Sequence, residues 1–254
     1  MYTIDLNSDL AESFGAYHIG MDEEILKYIT SANLACGFHA SDPVVMKKAV
    51  ENCKAAGVAI GAHPGFPDLQ GFGRRNMQIP PEEVKAMVMY QVGALDAFCR
   101  ANHLTMQHIK PHGALYNMAG KDYALARSVC EAVAEVNPEL ILVAQAGSQL
   151  QKAAEELHLP VAKEVFADRA YEEDGSLVAR GKPGAMITEE EEAIRRVIGM
   201  ILEGKTRAIT GKEIPMQADT VCVHGDGEKA LLFVKRLREA FAEENITVKR
   251  LQTR

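Results

Sequence analysis

Seven short apolar runs, each separated from the next by a stretch of helical periodicity, constrain this 254-residue chain more than any other feature. The runs are 2–7, 31–38, 58–62, 104–107, 140–144, 160–167 and 220–223. Between them, apolar residues recur at three- and four-residue spacing over 22–30, 43–56, 81–102, 122–136, 148–157, 188–203 and 231–241. Start and stop signals agree: Asp42 precedes Pro43 as a helix cap, Gly57 and Gly204 close helices, and Thr188 with Glu191 reads as a capping box. Strands that alternate with helices build a parallel sheet. With no linker between halves, the expectation is one α/β domain over 1–254, an irregular seven-stranded (β/α) barrel. An open doubly wound sheet is the alternative, but no glycine-rich dinucleotide turn follows the first strand. Ile246-Thr247-Val248 reads as an added edge strand.

The strand ends carry the chemistry. Asp5, Asn7 and Asp9 alternate along the first run, so they share a face. His39 follows the second run and His63 the third; His108, Lys110 and His112 alternate where the fourth one ends. Glu164 and Asp168 share a face of the sixth, Arg169 follows, and His224 and Asp226 close the seventh. Burying three titratable groups on one strand face is costly for packing alone. In a barrel these groups ring one mouth, the carboxyl ends of the strands, where such enzymes place their sites. The bland alternatives are that some of these groups point into solvent and that Asn7 and Asp9 only shape a turn. His103 and His158 sit near helix ends and read as dipole partners or surface groups.

Two segments are too long for simple connections. In 64–75, Gly71 and Gly73 flank Phe72 ahead of Arg74 and Arg75, a loop whose amides and guanidiniums suit an anion, or else a solvated tip. In 168–187, Asp174-Gly175 reads as a hairpin turn, with Ser176 to Arg180 as the return strand of a lid. The net charge of −7 excludes a general nucleic-acid surface. Five scattered cysteines with no CxxC pair suit a reducing cytoplasm. No basic-then-apolar leader opens the chain and no apolar run is long enough to span a bilayer, so neither secretion nor a membrane is expected.

The motifs 5–10 (DLNSDL), 31–40 (SANLACGFHA), 61–65 (GAHPG), 71–75 (GFGRR), 110–117 (KPHGALYN), 164–169 (EVFADR) and 223–226 (VHGD) resemble, in order and end to end, the lactam-utilisation (LamB/YcsF) family. Ala11 departs from that pattern, which has glycine there; the substitution should stiffen the loop. The resemblance implies a β/α barrel of the glycoside hydrolase/deacetylase type. It also implies ATP-dependent 5-oxoprolinase activity, opening 5-oxo-L-proline to L-glutamate, with separate subunits B and C as partners.

On that reading the site needs a base and cations for phosphate. Lys110 is the candidate for the phosphate or developing oxyanion, with Arg74 or Arg75 as a second clamp. Asp5, Asp9 or Asp226 would hold a divalent ion on the phosphates, magnesium with ATP, or activate water. His39, His63 and His112 are bases, or ligands of a deacetylase-like transition-metal cluster to which Asp9 and His108 also contribute. Asn7 joins the catalytic set. Asn33, Glu164, Asp168, Arg169, His224 and Asp226 would contact substrate or phosphate, with Arg169 or Arg180 for the substrate carboxylate. The rivals are a metal-dependent deacetylase or amidohydrolase acting on a carbohydrate-type substrate without ATP, and a non-catalytic small-molecule-binding subunit.

Overall fold

The computed structural model describes residues 2–179, 181–223 and 228–252. In chain order the elements are β1 (Tyr2–Leu10), α1 (Asp22–Ile25), β2 (Ser31–Ala35), α2 (Pro43–Ala56), β3 (Ala59–His63), α3 (Pro81–Ala101), β4 (His108–Ile109), α4 (Gly113–Ala119) and α5 (Tyr123–Val136). There follow β5 (Ile141–Gln145), α6 (Gln149–Glu156), β6 (Val161–Phe166), α7 (Glu190–Leu202), β7 (Lys205–Arg207), β8 (Glu213–Pro215), β9 (Thr220–Cys222), α8 (Glu228–Glu243) and β10 (Ile246–Val248). Strands β1 to β6 and β9 pair in parallel, and β9 pairs back onto β1, with Asp5 opposite Thr220 and Asn7 opposite Cys222. This closes the expected seven-stranded barrel and rules out the open sheet. Strand β1 is long enough to serve three neighbours: its first residues take β10, the middle ones β9 and the last ones β2.

Alternation along each strand divides the side chains into two cores. Ile4, Leu6, Leu34, Ile60, Ile109, Leu142 and Val221 face out and pack under the helices, in one large apolar cluster. The inner face is partly apolar and partly polar. Ile141, Val143 and Ala162 form an apolar floor against Leu251, whose carbonyl accepts from Gln107 Nε2 at 2.9 Å. Opposite them, Asp5 is enclosed by hydroxyls: Thr30 and Ser31 donate to its Oδ1 at 2.7 and 2.6 Å, and Thr220 to its Oδ2 at 2.5 Å. Small residues on β2 and β3 make room for inward rings. A Cβ on Gly61 would stand 2.2 Å from the His108 imidazole.

Several local expectations hold in detail. Asp42 caps α2 through Val44 and Val45, Gly57 ends it in the left-handed conformation at φ 68°, and β10 forms as the added edge strand. Others need correction. The run 22–30 yields one helical turn, not a helix through Thr30. Thr188 does not cap α7: Glu189 is the N-cap residue and makes no side-chain cap bond, so the acidic first turn, Glu190 to Glu192, does the work of meeting the helix dipole. The β7–β8 hairpin carries no periodic apolar pattern, and the short helix α4, with Ala114, Leu115 and Ala119 buried, stands directly past the fourth strand where the sequence pattern marked only a strand end. In 168–187, Asp174 does make the turn, accepting from Ser176 N, but only isolated bridges, Arg169 with Met186 and Tyr171 with Leu177, replace the return strand. That segment has a small core of its own, Ala170, Val178 and Ala185, and is pinned by Tyr171, whose hydroxyl accepts from Phe166 N at 2.8 Å. Among the described residues no helix is long and apolar enough to cross a membrane.

Burial raises the Asp5 carboxyl above its ordinary value near 3.8, against the lowering effect of its hydroxyl partners. The native state therefore holds this proton to higher pH than the unfolded chain does, and its contribution to stability is lost as pH rises through the raised value. Relative to Asp5→Asn, the wild-type chain should lose stability as pH rises above ~4, read by denaturant unfolding at a series of pH values. A constant difference would show that Asp5 titrates normally.

Candidate functional site

At the carboxyl ends of the barrel strands a cavity of about 590 Å³ opens, lined by Asp9, Glu12, His63, Arg74, Lys110 and His112 together with Tyr116, Phe166, Arg169 and Leu177 to Ala179. The pinned 168–187 segment is its roof. A larger depression, about 700 Å³, lies along α7 and the β7–β8 hairpin, away from the strand ends. The Glu203–Lys205–Glu213 pairs of the second are exposed, whereas buried imidazoles, an ammonium and carboxylates share hydrogen bonds at the first, so chemistry belongs there.

Lys110 sits at the base of this cavity with its side chain 3% exposed. Its ammonium is 2.9 Å from Asp9 Oδ1 and 2.7 Å from Glu164 Oε1, with Asn7 Oδ1 and Cys222 Sγ both at 3.2 Å. Burial opposes the charge, but Asp9 and its neighbours outweigh that and hold Lys110 well above its ordinary range. Asn33 Nδ2 bridges Asn7 and Asp9 at 2.8 Å each, and its carbonyl takes His108 Nε2 at 2.8 Å. Tyr116 donates to Glu164 Oε2 at 2.7 Å, and burial, then Glu164, pushes the phenol well up. The three ammonium donors are thus engaged inside the protein. Lys110 acts first on Asp9, holding it in place, rather than as an open phosphate clamp.

Beside this network stand three imidazoles. His39 and His112 stack at 3.6 Å with 1° between planes, and His63 meets both edge-on. His63 Nδ1 donates to the Lys110 carbonyl at 2.7 Å, and His112 Nε2 to the Phe72 carbonyl at 2.8 Å. Burial drives His39 well below its ordinary range and His112 down to about 3. Glycine makes the stack possible: a Cβ on Gly73 would fall 2.7 Å from His39 Cβ and 2.8 Å from His112 Cδ2. Phe72, between the two loop glycines, takes φ 55°, a strained conformation for an aromatic residue, and so turns its carbonyl onto His112. Glu12, His39, His63 and His112 present ligand atoms that all lie within 4.8 Å of one another, a group able to hold a metal ion.

The sequence reading and the structure part company at several residues. Asp5 and His108 face the barrel interior below the cavity; burial pushes His108 down to about 3, and neither reaches the space where a metal or substrate would sit. Arg75 pairs with Asp68, whose Oδ1 also accepts from Gly71 N at 3.1 Å, so the glycine loop spends its donors on its own carboxylate. Arg74 stays at the cavity, its guanidinium 5.0 Å from the Phe72 ring centre. Asp168 lines a different hollow, beside Cys222 and Val223. Arg169 is buried at the roof and donates to the Val178 carbonyl at 2.6 Å. His224, Asp226 and Arg180 lie outside the described residues. Glu12 is the site residue that sequence reasoning left unassigned. Its signal was present, an acid three residues past Asp9, but in a loop without periodicity. Ala11, between them, adopts φ 60° and donates its N–H to Asp22 Oδ2, holding the turn that brings Glu12 back.

Comparison with known proteins gives a consistent result. A profile of the LamB/YcsF family matches residues 4–254. The chain is 65% identical to a protein from Clostridium beijerinckii named as the A component of 5-oxoprolinase, over 98% of this chain and 97% of that one. It is 53% identical to one of the same name from Pyrococcus abyssi, over 96% of each. Its fold matches the crystal structure of a lactam utilization protein from Thermus thermophilus with a TM-score of 0.93, at 46% identity, covering 98% of this chain and 100% of that one. A putative cellobiose-phosphate cleavage protein from Enterococcus faecalis, 14% identical with a TM-score of 0.55 over 97% and 96% of the two chains, shares the fold alone.

Removing the Lys110 charge leaves Asp9 and Glu164 buried without compensation. Lys110→Met should cost about 3–5 kcal/mol of stability, and adding Glu164→Gln should recover part of it. Chemical denaturation of the single and double variants reads the coupling; independent, additive losses would show that the ion pair does not organise the site.

Proposed function

Because this chain belongs to the LamB/YcsF family, we propose that it opens the lactam of 5-oxo-L-proline to L-glutamate as one component of an ATP-dependent 5-oxoprolinase, acting with partner subunits B and C. The observation that carries this reading is the buried Lys110 held between Asp9 and Glu164 at the base of a small polar cavity. The names of its relatives, at 53–65% identity over nearly full length, support both the reaction and the need for other subunits.

A five-membered lactam is an unactivated amide, and water attacks it slowly. Transfer of phosphate from ATP, with magnesium, to the carbonyl oxygen would turn that oxygen into a leaving group. The residues suit the remaining tasks. Arg74 and Arg169, both at the cavity wall, supply positive charge for the substrate carboxylate and the phosphorylated oxygen. Asp9, ion-paired with Lys110, positions the attacking water. Its other oxygen lies 3.4 Å from His63 Nε2, at the edge of the imidazole cluster. Asn7, Asn33 and Glu164 orient these groups from below, and Tyr116 fixes Glu164.

The test is glutamate release from 5-oxo-L-proline by the reconstituted complex, with and without ATP. Full activity should need the partners and ATP together. Asp9→Asn should lower kcat by about 10²-fold. Arg74→Met should raise KM for 5-oxoproline by about 10–100-fold with a smaller effect on kcat, the worth of one charge-assisted hydrogen bond. Metal-dependent deacetylation by this chain alone, without ATP, would replace the proposal with its rival.

A further inference from the structure

We propose that Asp9, Glu12, His63 and His112 form a binding site for one zinc-class transition-metal dication, and that His39 positions Glu12 without touching the ion. This deepens the lactam-opening reading, on which the ion's place in the reaction rests, but metal binding itself is read apart from turnover.

The inference starts from where the imidazole protons are. Each neutral imidazole carries one N–H. His63 commits its proton at Nδ1 to the Lys110 carbonyl, and His112 commits its proton at Nε2 to the Phe72 carbonyl. The remaining nitrogens, His63 Nε2 and His112 Nδ1, face each other at 3.0 Å. Both present lone pairs, so this contact repels unless a positive centre lies between them. Two carboxylates complete the set. Asp9 Oδ2 is 3.4 Å from His63 Nε2, and Glu12 Oε1 is 3.4 Å from His112 Nδ1. Ligand atoms about 2.1 Å from a shared ion stand about 3.0–3.4 Å apart for angles between 90° and tetrahedral. Each of the three separations falls in that interval. The backbone carbonyls that hold the outer imidazole nitrogens are the partners that metal-bound histidines use to fix orientation.

His39 differs. Its Nε2 is 3.2 Å from Glu12 Oε1, while its Nδ1 is buried with no hydrogen-bond partner. A buried N–H without an acceptor is rarer than a buried lone pair without a donor. The proton therefore sits on Nε2 and is donated to Glu12, and the ring, stacked on His112, steadies a second ligand as well. Two imidazoles with two carboxylates favour a borderline ion of the zinc class over magnesium, which prefers an all-oxygen shell. Facing the cavity, such an ion is a Lewis acid for a carbonyl oxygen.

The test uses the full chain, stripped with chelator and titrated with Co²⁺ without substrate. One equivalent should bind with visible d–d absorption, be displaced by one equivalent of Zn²⁺, and resist excess Mg²⁺. X-ray absorption on the zinc form should count two imidazoles. Replacing His63 and His112 together by Asn should abolish the Co²⁺ spectrum. His39→Phe should keep the spectrum but weaken binding by about 10–100-fold, as loss of an outer partner does. If the double variant does not fold, Glu12→Gln at the cavity rim carries the comparison, with at least a ~10-fold loss expected. A cooperatively folded wild-type chain that takes up no stoichiometric Co²⁺ overturns the site, and three imidazoles in the zinc form overturn the role of His39. Tight, variant-sensitive Co²⁺ binding in a chain that never supports glutamate release upholds the metal site and removes the lactam reading.

Discussion

One ammonium inside a barrel organises this protein. Lys110 lies where a β/α barrel ordinarily packs branched aliphatic side chains, and its charge is tolerable there only because Asp9 and Glu164 approach from opposite strands. Those carboxylates in turn need Asn33 and Tyr116. Below them, Asn7 and Asp5 rely on Thr220, and Asp5 on Ser31 as well. The inner layer is therefore a continuous polar network that draws on β1–β4, β6 and β9, with an apolar floor at Ile141, Val143 and Ala162. Stability comes mostly from the outer layer, where helices cover the strands' other face. Separating the two cores leaves the inner one free to set geometry.

The same division explains what could be read from the chain. Period-two alternation and helical spacing are local, so the barrel, its strand count and its edge strand β10 were legible. The rule that polar residues gather past strand ends found Asp9, His39, His63, Lys110 and His112, all of which meet around one cavity or its wall. Depth along the strand was not legible. Asp5 and His108 obey the same alternation as Asp9 and His112, but each lies earlier along its strand, below the mouth and inside the network. Which of two neighbouring arginines faces the cavity was also hidden: Arg75 turns to Asp68, seven residues back, and no periodicity records that contact. Glu12 depends on the left-handed turn at Ala11, a backbone choice that an alanine does not announce.

Strain gathers where position matters most. Phe72 and Ala11 both hold positive φ, and each directs a group onto the histidine cluster: a carbonyl onto His112, a carboxylate toward His39. A left-handed alanine costs about 1–2 kcal/mol, sustained here by a buried surrounding and the bond to Asp22. The roof segment adds rigidity, not a swinging door, because Tyr171 anchors it to the end of β6. Turnover in such a pocket depends on groups already in place.

Strand β1 has a consequence for how the polypeptide folds. Two of its three neighbours, β9 and β10, follow it in the chain by more than two hundred residues, and Leu251 lies against the barrel floor. Until those segments join it, β1 has an unsatisfied edge and the charged interior has no wall. The barrel therefore closes only through pairings between segments far apart in the chain, whose loop-closure entropy must be met before the contacts form.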